Sequence, residues 1–177
     1  MIWSAAYVLA GLVLTLWLVR VWIHRRPSGE RASRPRELAN AELVYMEKLF
    51  RIREPIRLVA KVDRVYRLPG GSLVLVELKT RGQDRPYLTD IIQLSAQRLA
   101  IEVQTGVVVE PYAFVSALGR NRKMRSHQVR LLDAAAVVDL HRRREAILAM
   151  RASPVYARTE SVCRGCALRL RCDRFIR

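Results

Sequence analysis

The sequence predicts an α/β protein in which a mixed β-sheet is flanked by helices, with one apolar segment ahead of it. Three observations lead there. Residues 58–79 hold two runs rich in Val and Leu around Leu68-Pro69-Gly70-Gly71-Ser72, a turn in which Pro fixes one φ and glycine permits positive φ. A helical pattern comes next over about 90–104, and two further strand-like runs, 107–118 and 128–132, come after it. Ile2–Val19 carries no charged residue at all.

The chain has 177 residues, enough for one domain and a terminal segment, and 51% apolar content suffices for a core. Lys and Arg number 32 against 16 Asp and Glu, for a net charge of +16. Such an excess favours a polyanionic partner, nucleic acid or an acidic membrane surface. Arg20 is the only Lys or Arg before residue 24, so the charge belongs to the chain beyond the apolar run.

With Arg20 snorkelling, that run extends to Ile23 and reaches the length of a bilayer span. Trp3, Tyr7, Trp17 and Trp22 lie toward its two ends, as in an aromatic belt. No basic region precedes it and no small-residue cleavage site comes after it, which argues against a signal peptide. Residues 1–26 therefore read as a transmembrane anchor. Arg20, His24, Arg25 and Arg26 flank the end of the span, and the positive-inside rule then gives a single-pass protein of the cell membrane with its body in the cytoplasm.

Residues 27–35, polar, basic and turn-rich, read as a linker. A domain over 36–152 and a cysteine-containing clasp over 153–177 complete the division. From Arg36 to about Arg53 the spacing predicts a helix with Leu38, Tyr45, Met46, Leu49 and Ile52 on one stripe. At 100° per residue Glu42 falls inside that stripe and Glu47 points away.

With the 58–79 turn centred on Gly70, Asp63 falls directly opposite Glu77, and alternation puts Lys61 and Lys79 on the same face. Paired carboxylates on half-buried strands repel and lose hydration. A divalent cation relieves both penalties, and Asp and Glu oxygens are the hard ligands that Mg²⁺ or Mn²⁺ takes. A lysine two residues after the Glu can orient or help deprotonate a metal-bound water, the equipment for attack on a phosphodiester. The other reading of the same residues is a cross-strand salt-bridge cluster.

The loop 80–89 is polar and basic. Asp90 suits an N-cap for a helix that Gly106 stops, with Gln93 and Gln97 one turn apart. Four cations in Gly119–Arg125 form a turn that can straddle a phosphate backbone. Asp133 suits the N-cap of a last helix to about Arg151. In the tail, Cys163 and Cys166 form a Cys-x-x-Cys with Cys172 beyond it. On a cytoplasmic chain that spacing argues for metal rather than disulfide chemistry, without separating iron from zinc.

An Asp followed by Glu-x-Lys on a hairpin, then a helix bearing a glutamine, resembles the PD-(D/E)XK nuclease superfamily. The cysteine-rich tail is similar to that of its RecB-like branch, which includes the CRISPR-associated Cas-four exonucleases. The likeness covers about residues 36–177. It implies a metal-dependent nuclease hydrolysing DNA phosphodiester bonds, exonuclease-like, with Asp63 and Glu77 holding Mg²⁺ or Mn²⁺ and Lys79 and Gln93 completing the catalytic set. It also implies an acid from the first helix, for which Glu42 is the residue of suitable geometry, and an iron–sulfur cluster at Cys163, Cys166 and Cys172. Three departures stand out: Gln97 replaces the family's Tyr, no histidine lies in the family's position, and there is no fourth cysteine. They favour the alternative of a weakly active or inactive nuclease-fold protein that grips nucleic acid or a partner at the membrane. The partners expected are DNA and, through the anchor, the membrane.

Overall fold

The computed structural model describes residues 30–31, 33–81, 83–119, 123–157, 160–164, 166–167 and 169–172. The expected anchor, 1–26, lies outside them. Among the described residues no helix is long and apolar enough to cross a membrane. The chain divides into two compact units, Met1–Val137 and Val138–Arg177.

The first unit is built on a five-stranded mixed sheet. In chain order the strands are β1 (Glu42–Met46), β2 (Leu49–Ile52), β3 (Leu58–Lys61), β4 (Arg64–Arg67), β5 (Leu73–Thr80), β6 (Tyr112–Leu118) and β7 (Met124–Arg130). The main sheet runs β1-β4-β5-β6-β7, while β2 and β3 form a separate two-stranded sheet. Among the described strands only β5 and β6 form a parallel ladder. A parallel pair needs a crossover, supplied by α1 (Leu88–Thr105), which ends where Gly106 adopts the left-handed conformation at φ 69°.

The hairpin register is the expected one: Arg64 faces Val76, Val65 faces Leu75, Tyr66 faces Val74 and Arg67 faces Leu73. The first arm is not one strand, however. It bends at Val62–Asp63, so that β3 leaves the main sheet and pairs with β2. The preceding arm bends beside it at Glu47, whose φ is 53°. Glu47 donates its backbone N–H to the Asp63 carbonyl at 3.0 Å, and Val62 donates to the Lys48 carbonyl at 2.9 Å. The two arms thus make one long bent hairpin.

Residues 36–53 are accordingly not a helix. A 3-10 turn, Arg36–Leu38, leads into β1 and β2. In β2 the burial alternates with period two: Phe50 and Ile52 are inside, Leu49 and Arg51 outside. The apolar residues of this stretch satisfy both periods, and cross-strand pairing with β4 and β3 decides between them.

Both faces of the main sheet are covered. On one, Tyr66, Val74, Val76 and Phe114 pack with Leu38 and Ala41. There Glu30 is buried, accepts two hydrogen bonds from the Arg34 guanidinium at 2.8 and 2.9 Å, and accepts a third from the Tyr66 hydroxyl. The other face carries Glu77 toward α1. β6 and β7 pair antiparallel from Tyr112 opposite Arg130 to Leu118 opposite Met124, so the second partner strand starts earlier than expected. Helix α2 (Ala134–Leu148) is capped by Asp133, whose carboxylate accepts from the Ala136 N–H at 2.8 Å. The second unit takes in most of α2, the short helix α3 (Glu160–Arg164) and a 3-10 turn, Arg169–Arg171.

Candidate active site

Glu77 is the hub. It sits on β5, in the middle strand of the sheet, 3% exposed, and every oxygen it presents is occupied. Its Oε1 accepts from Lys79 Nζ and from Gln93 Nε2, each at 2.7 Å. Lys79 Nζ also donates to Gln93 Oε1 at 3.0 Å, closing a ring of three side chains. Alternation on β5 returns Lys79 to the face of Glu77, and α1 crosses that face to bring Gln93 down on both.

Glu77 Oε2 accepts from Gln97 Nε2 at 3.2 Å, and the same amide donates to the Lys61 carbonyl at 2.8 Å. Gln97 is 2% exposed. Gln97 is thus no member of a solvated helix face. Its two amide protons tie the buried carboxylate to the end of β3. Composition gave no sign of this, since glutamine is mostly a surface residue; the signal was its position, one helical turn after Gln93 and on the same side.

Asp63 sits at the bend, one row beyond the ladder that pairs β4 with β5, on the strand facing Glu77. Its Oδ2 accepts from the Leu78 N–H at 2.8 Å. Burial pushes its carboxyl above the ordinary range, and the neighbouring Glu77 and Glu47 carboxylates push the same way, only partly offset by the Leu78 N–H and the Lys79 charge. A carboxylate held against its own ionisation beside a second one is the donor set that a hard divalent cation stabilises. Asp63 and Glu77 fit such an ion.

Two expected members stand elsewhere. Glu42 lies at the far end of β1, exposed and opposite Arg67, whereas Asp63 adjoins the end where Met46 faces Arg64. The helical period that aimed Glu42 at the site does not exist in a strand. The acid brought beside Asp63 from this segment is Glu47, at the bend, whose carboxylate pairs with the exposed Lys61 ammonium. Lys61 therefore does not join Lys79 at the site.

Asp90 is the third residue of α1 rather than its cap: the helix starts two residues earlier, and Asp90 accepts from the Tyr87 N–H at 2.8 Å. Arg81 clamps it with bonds of 3.1 and 2.7 Å. Burial works to raise the Asp90 carboxyl, but the Arg81 guanidinium and the Tyr87 N–H outweigh it and hold the group below its usual range. This pair fixes the β5–α1 loop next to Lys79. Asp84 fastens the same loop to β7, meeting His127 Nε2 at 2.8 Å and Arg125 Nε at 3.2 Å.

In the second unit Cys163 is buried, Cys166 exposed and Cys172 half-buried, none in a disulfide. Among the described residues no three His, Cys, Asp or Glu side chains gather as a metal site. The three thiols are one short of the four thiolates of an iron–sulfur cluster.

No curated protein is similar to this chain at a significant level. A solved structure titled "Crystal structure of SSO0001" superposes with a TM-score of 0.52 at 17% identity, covering 90% of this chain and 69% of that one, a likeness of fold. The sequence model of the PD-(D/E)XK nuclease superfamily matches residues 5–173. With a mixed sheet whose parallel pair is joined by the crossover helix α1, and with the match spanning nearly its whole length, the chain belongs to the PD-(D/E)XK nuclease superfamily.

Proposed function

We propose that the protein is a Mg²⁺- or Mn²⁺-dependent nuclease that hydrolyses DNA phosphodiester bonds at Asp63, Glu77, Lys79 and Gln93. The observation that carries this reading is the closed ring of Glu77, Lys79 and Gln93, facing Asp63 across the bend. Asp63 and Glu77 would hold the cation, which when bound supplies Lewis acidity and an activated water. Lys79 keeps its ammonium between Glu77 and Gln93 and so places a proton donor and a positive charge at the edge of the carboxylate pair. Gln93 locks the lysine by accepting from it and donating to Glu77. Gln97 fixes the carboxylate plane of Glu77 without reaching solvent. The net charge of +16 suits a polyanionic substrate. Glu42, placed apart, has no part in the scheme.

The finer assignments rest on sequence. The uncharged run Ile2–Val19 and the basic residues after it support a single-pass anchor in the cell membrane, with the nuclease unit on the cytoplasmic side. The exonuclease-like, RecB-like placement rests on the order Asp63, Glu77-x-Lys79, Gln93, cysteine tail. Among the described residues no gathered set of ligands supports a cluster there.

The test is cleavage of labelled DNA by the purified full chain with Mg²⁺ or Mn²⁺, beside Asp63→Ala, Glu77→Ala and Lys79→Ala. All three are expected to lose divalent-dependent cleavage while keeping their circular dichroism. Cleavage at the parent's rate in all three would remove the site from consideration.

A further inference from the structure

The two-stranded β2–β3 ribbon has a role that the chemistry at Glu77 does not use. Its inner face, Phe50, Ile52 and Ala60, is buried, and α1 is bonded to it through Gln97 on the Lys61 carbonyl and Gln104 Oε1 on the Arg51 N–H at 2.8 Å. The outer face is solvent-exposed. There Leu49 stands opposite Lys61 and Arg51 opposite Val59, and the same register carried past the last pair sets Arg53 opposite Arg57.

Arg51, Arg53 and Arg57 are all exposed, and among the described residues none of them makes an ion pair. The nearby acids are few: Glu47 is taken by Lys61, and Glu54 lies between the arms at the tip. Like charges directly opposite on a ribbon cost stability, so the folded chain gains nothing from this arrangement by itself. The arms lead to the site. β3 runs through Val62 into Asp63, so Arg57 lies six residues from the catalytic carboxylate, about 20 Å at full extension.

We propose that the outer face of the β2–β3 ribbon is a seat for duplex DNA, gripping through Arg51, Arg53 and Arg57 backbone phosphates within about 20 Å of the bond to be cut. This rests on the nuclease reading above. A two-stranded antiparallel ribbon is of a size that the major groove admits, and arginine forks match phosphate oxygens. The face carries Leu49, Val59 and cations but no aromatic side chain, whereas single-strand seats use aromatic rings on which bases stack. That is why duplex, not single strand, is the occupant.

The experiment uses the full chain in detergent, with Arg51→Glu/Arg53→Glu/Arg57→Glu and a milder variant with Gln at all three positions. Binding to a fluorescent duplex, and to the single strand of the same sequence, is titrated in chelator over a range of salt. Hydrolysis of bis(4-nitrophenyl) phosphate with Mn²⁺ and binding to anionic vesicles are followed in parallel. The charge-reversed variant should bind duplex at least about tenfold more weakly and lose about two to three from the slope of log K against log salt, and the Gln variant should shift the same way by less. Hydrolysis of the small diester should not change. Unchanged duplex affinity and slope would overturn the seat, as would a loss confined to single strand or to vesicles. A parent that binds duplex through the ribbon but hydrolyses nothing keeps the seat and removes the nuclease reading. A parent that hydrolyses while the variant binds normally does the reverse.

Discussion

Replacing Gln97 by Leu tests whether the buried amide supports Glu77. Leucine keeps nearly the same bulk at a position only 2% exposed but removes both donors. The Lys61 carbonyl loses a bond of 2.8 Å and the Glu77 Oε2 one of 3.2 Å, while Oε1 keeps Lys79 and Gln93. A bond to a neutral carbonyl contributes roughly 0.5–1.5 kcal/mol and one to a carboxylate roughly 1.5–3 kcal/mol. The longer of the two belongs to the lower part of its range, so the loss comes to about 2–4 kcal/mol, less a little for the added apolar burial. In a chain of this size that lowers the melting temperature by about 5–15 °C. Melting in chelator reads the stability, and the Mn²⁺ concentration giving half-maximal DNA cleavage reads the site. The second quantity should rise about 10–100-fold, as when a bond that orients a metal ligand is removed. A variant that melts and responds to Mn²⁺ as the parent does would mean that Gln97 does not hold Glu77, and the positioning argument would fail.

Asp63→Asn should abolish cleavage yet raise the melting temperature at neutral pH in chelator. The folded Asp63 carboxyl lies above its unfolded value, so the stability it permits is whole below the unfolded pKa and is lost as pH rises through the folded one; the gain from Asn should shrink toward nothing in acid, and a gain that stays constant with pH would contradict the sign. Arg34→Ala should cost about 3 kcal/mol or more in urea unfolding, because it leaves buried Glu30 without its guanidinium and uncovers the Ala41 carbonyl. Burial tends to raise the Glu30 carboxyl, but Arg34 and the Tyr66 hydroxyl hold it low overall, so its contribution stands above the unfolded pKa and is lost as pH falls through the folded one. A parent and an Arg34→Ala variant with equal stability at neutral pH would show that the pair contributes nothing.

The hairpin around Gly70 was legible because turn chemistry fixes register locally: Pro69, Gly70 and Gly71 set the turn, and the turn sets every pair beyond it. Gly106 and Asp133 were legible for the same reason, each acting on its own helix end. Residues 36–53 were not. Tyr45, Met46, Leu49 and Ile52 fit a helical stripe, and what overrides it is β4 and β3, up to 25 residues away in the chain. The error over Glu42 and Glu47 stems from that one mistaken period. The bend at Asp63 was hidden because an apolar run looks the same whether it stays in one sheet or passes between two. Gln97 was hidden because its burial depends on two acceptors, Glu77 and the Lys61 carbonyl, that its own helix does not reveal.

The parallel pairing of β5 with β6 has a consequence for how the site assembles. Because α1 is the crossover between those strands, the helix bearing Gln93 and Gln97 must come back over the strand it has just left. Each contact at Glu77 therefore closes a short loop: two residues to Lys79, 16 to Gln93 and 20 to Gln97, while Asp63 and Leu78 are 15 apart. Closure entropy grows only with the logarithm of loop length, and these loops are all short. The side-chain contacts of Glu77 are thus encoded within residues 77–97, and from outside that stretch the candidate site draws on Asp63 and on the bend that Glu47, Lys48, Lys61 and Val62 hold beside it.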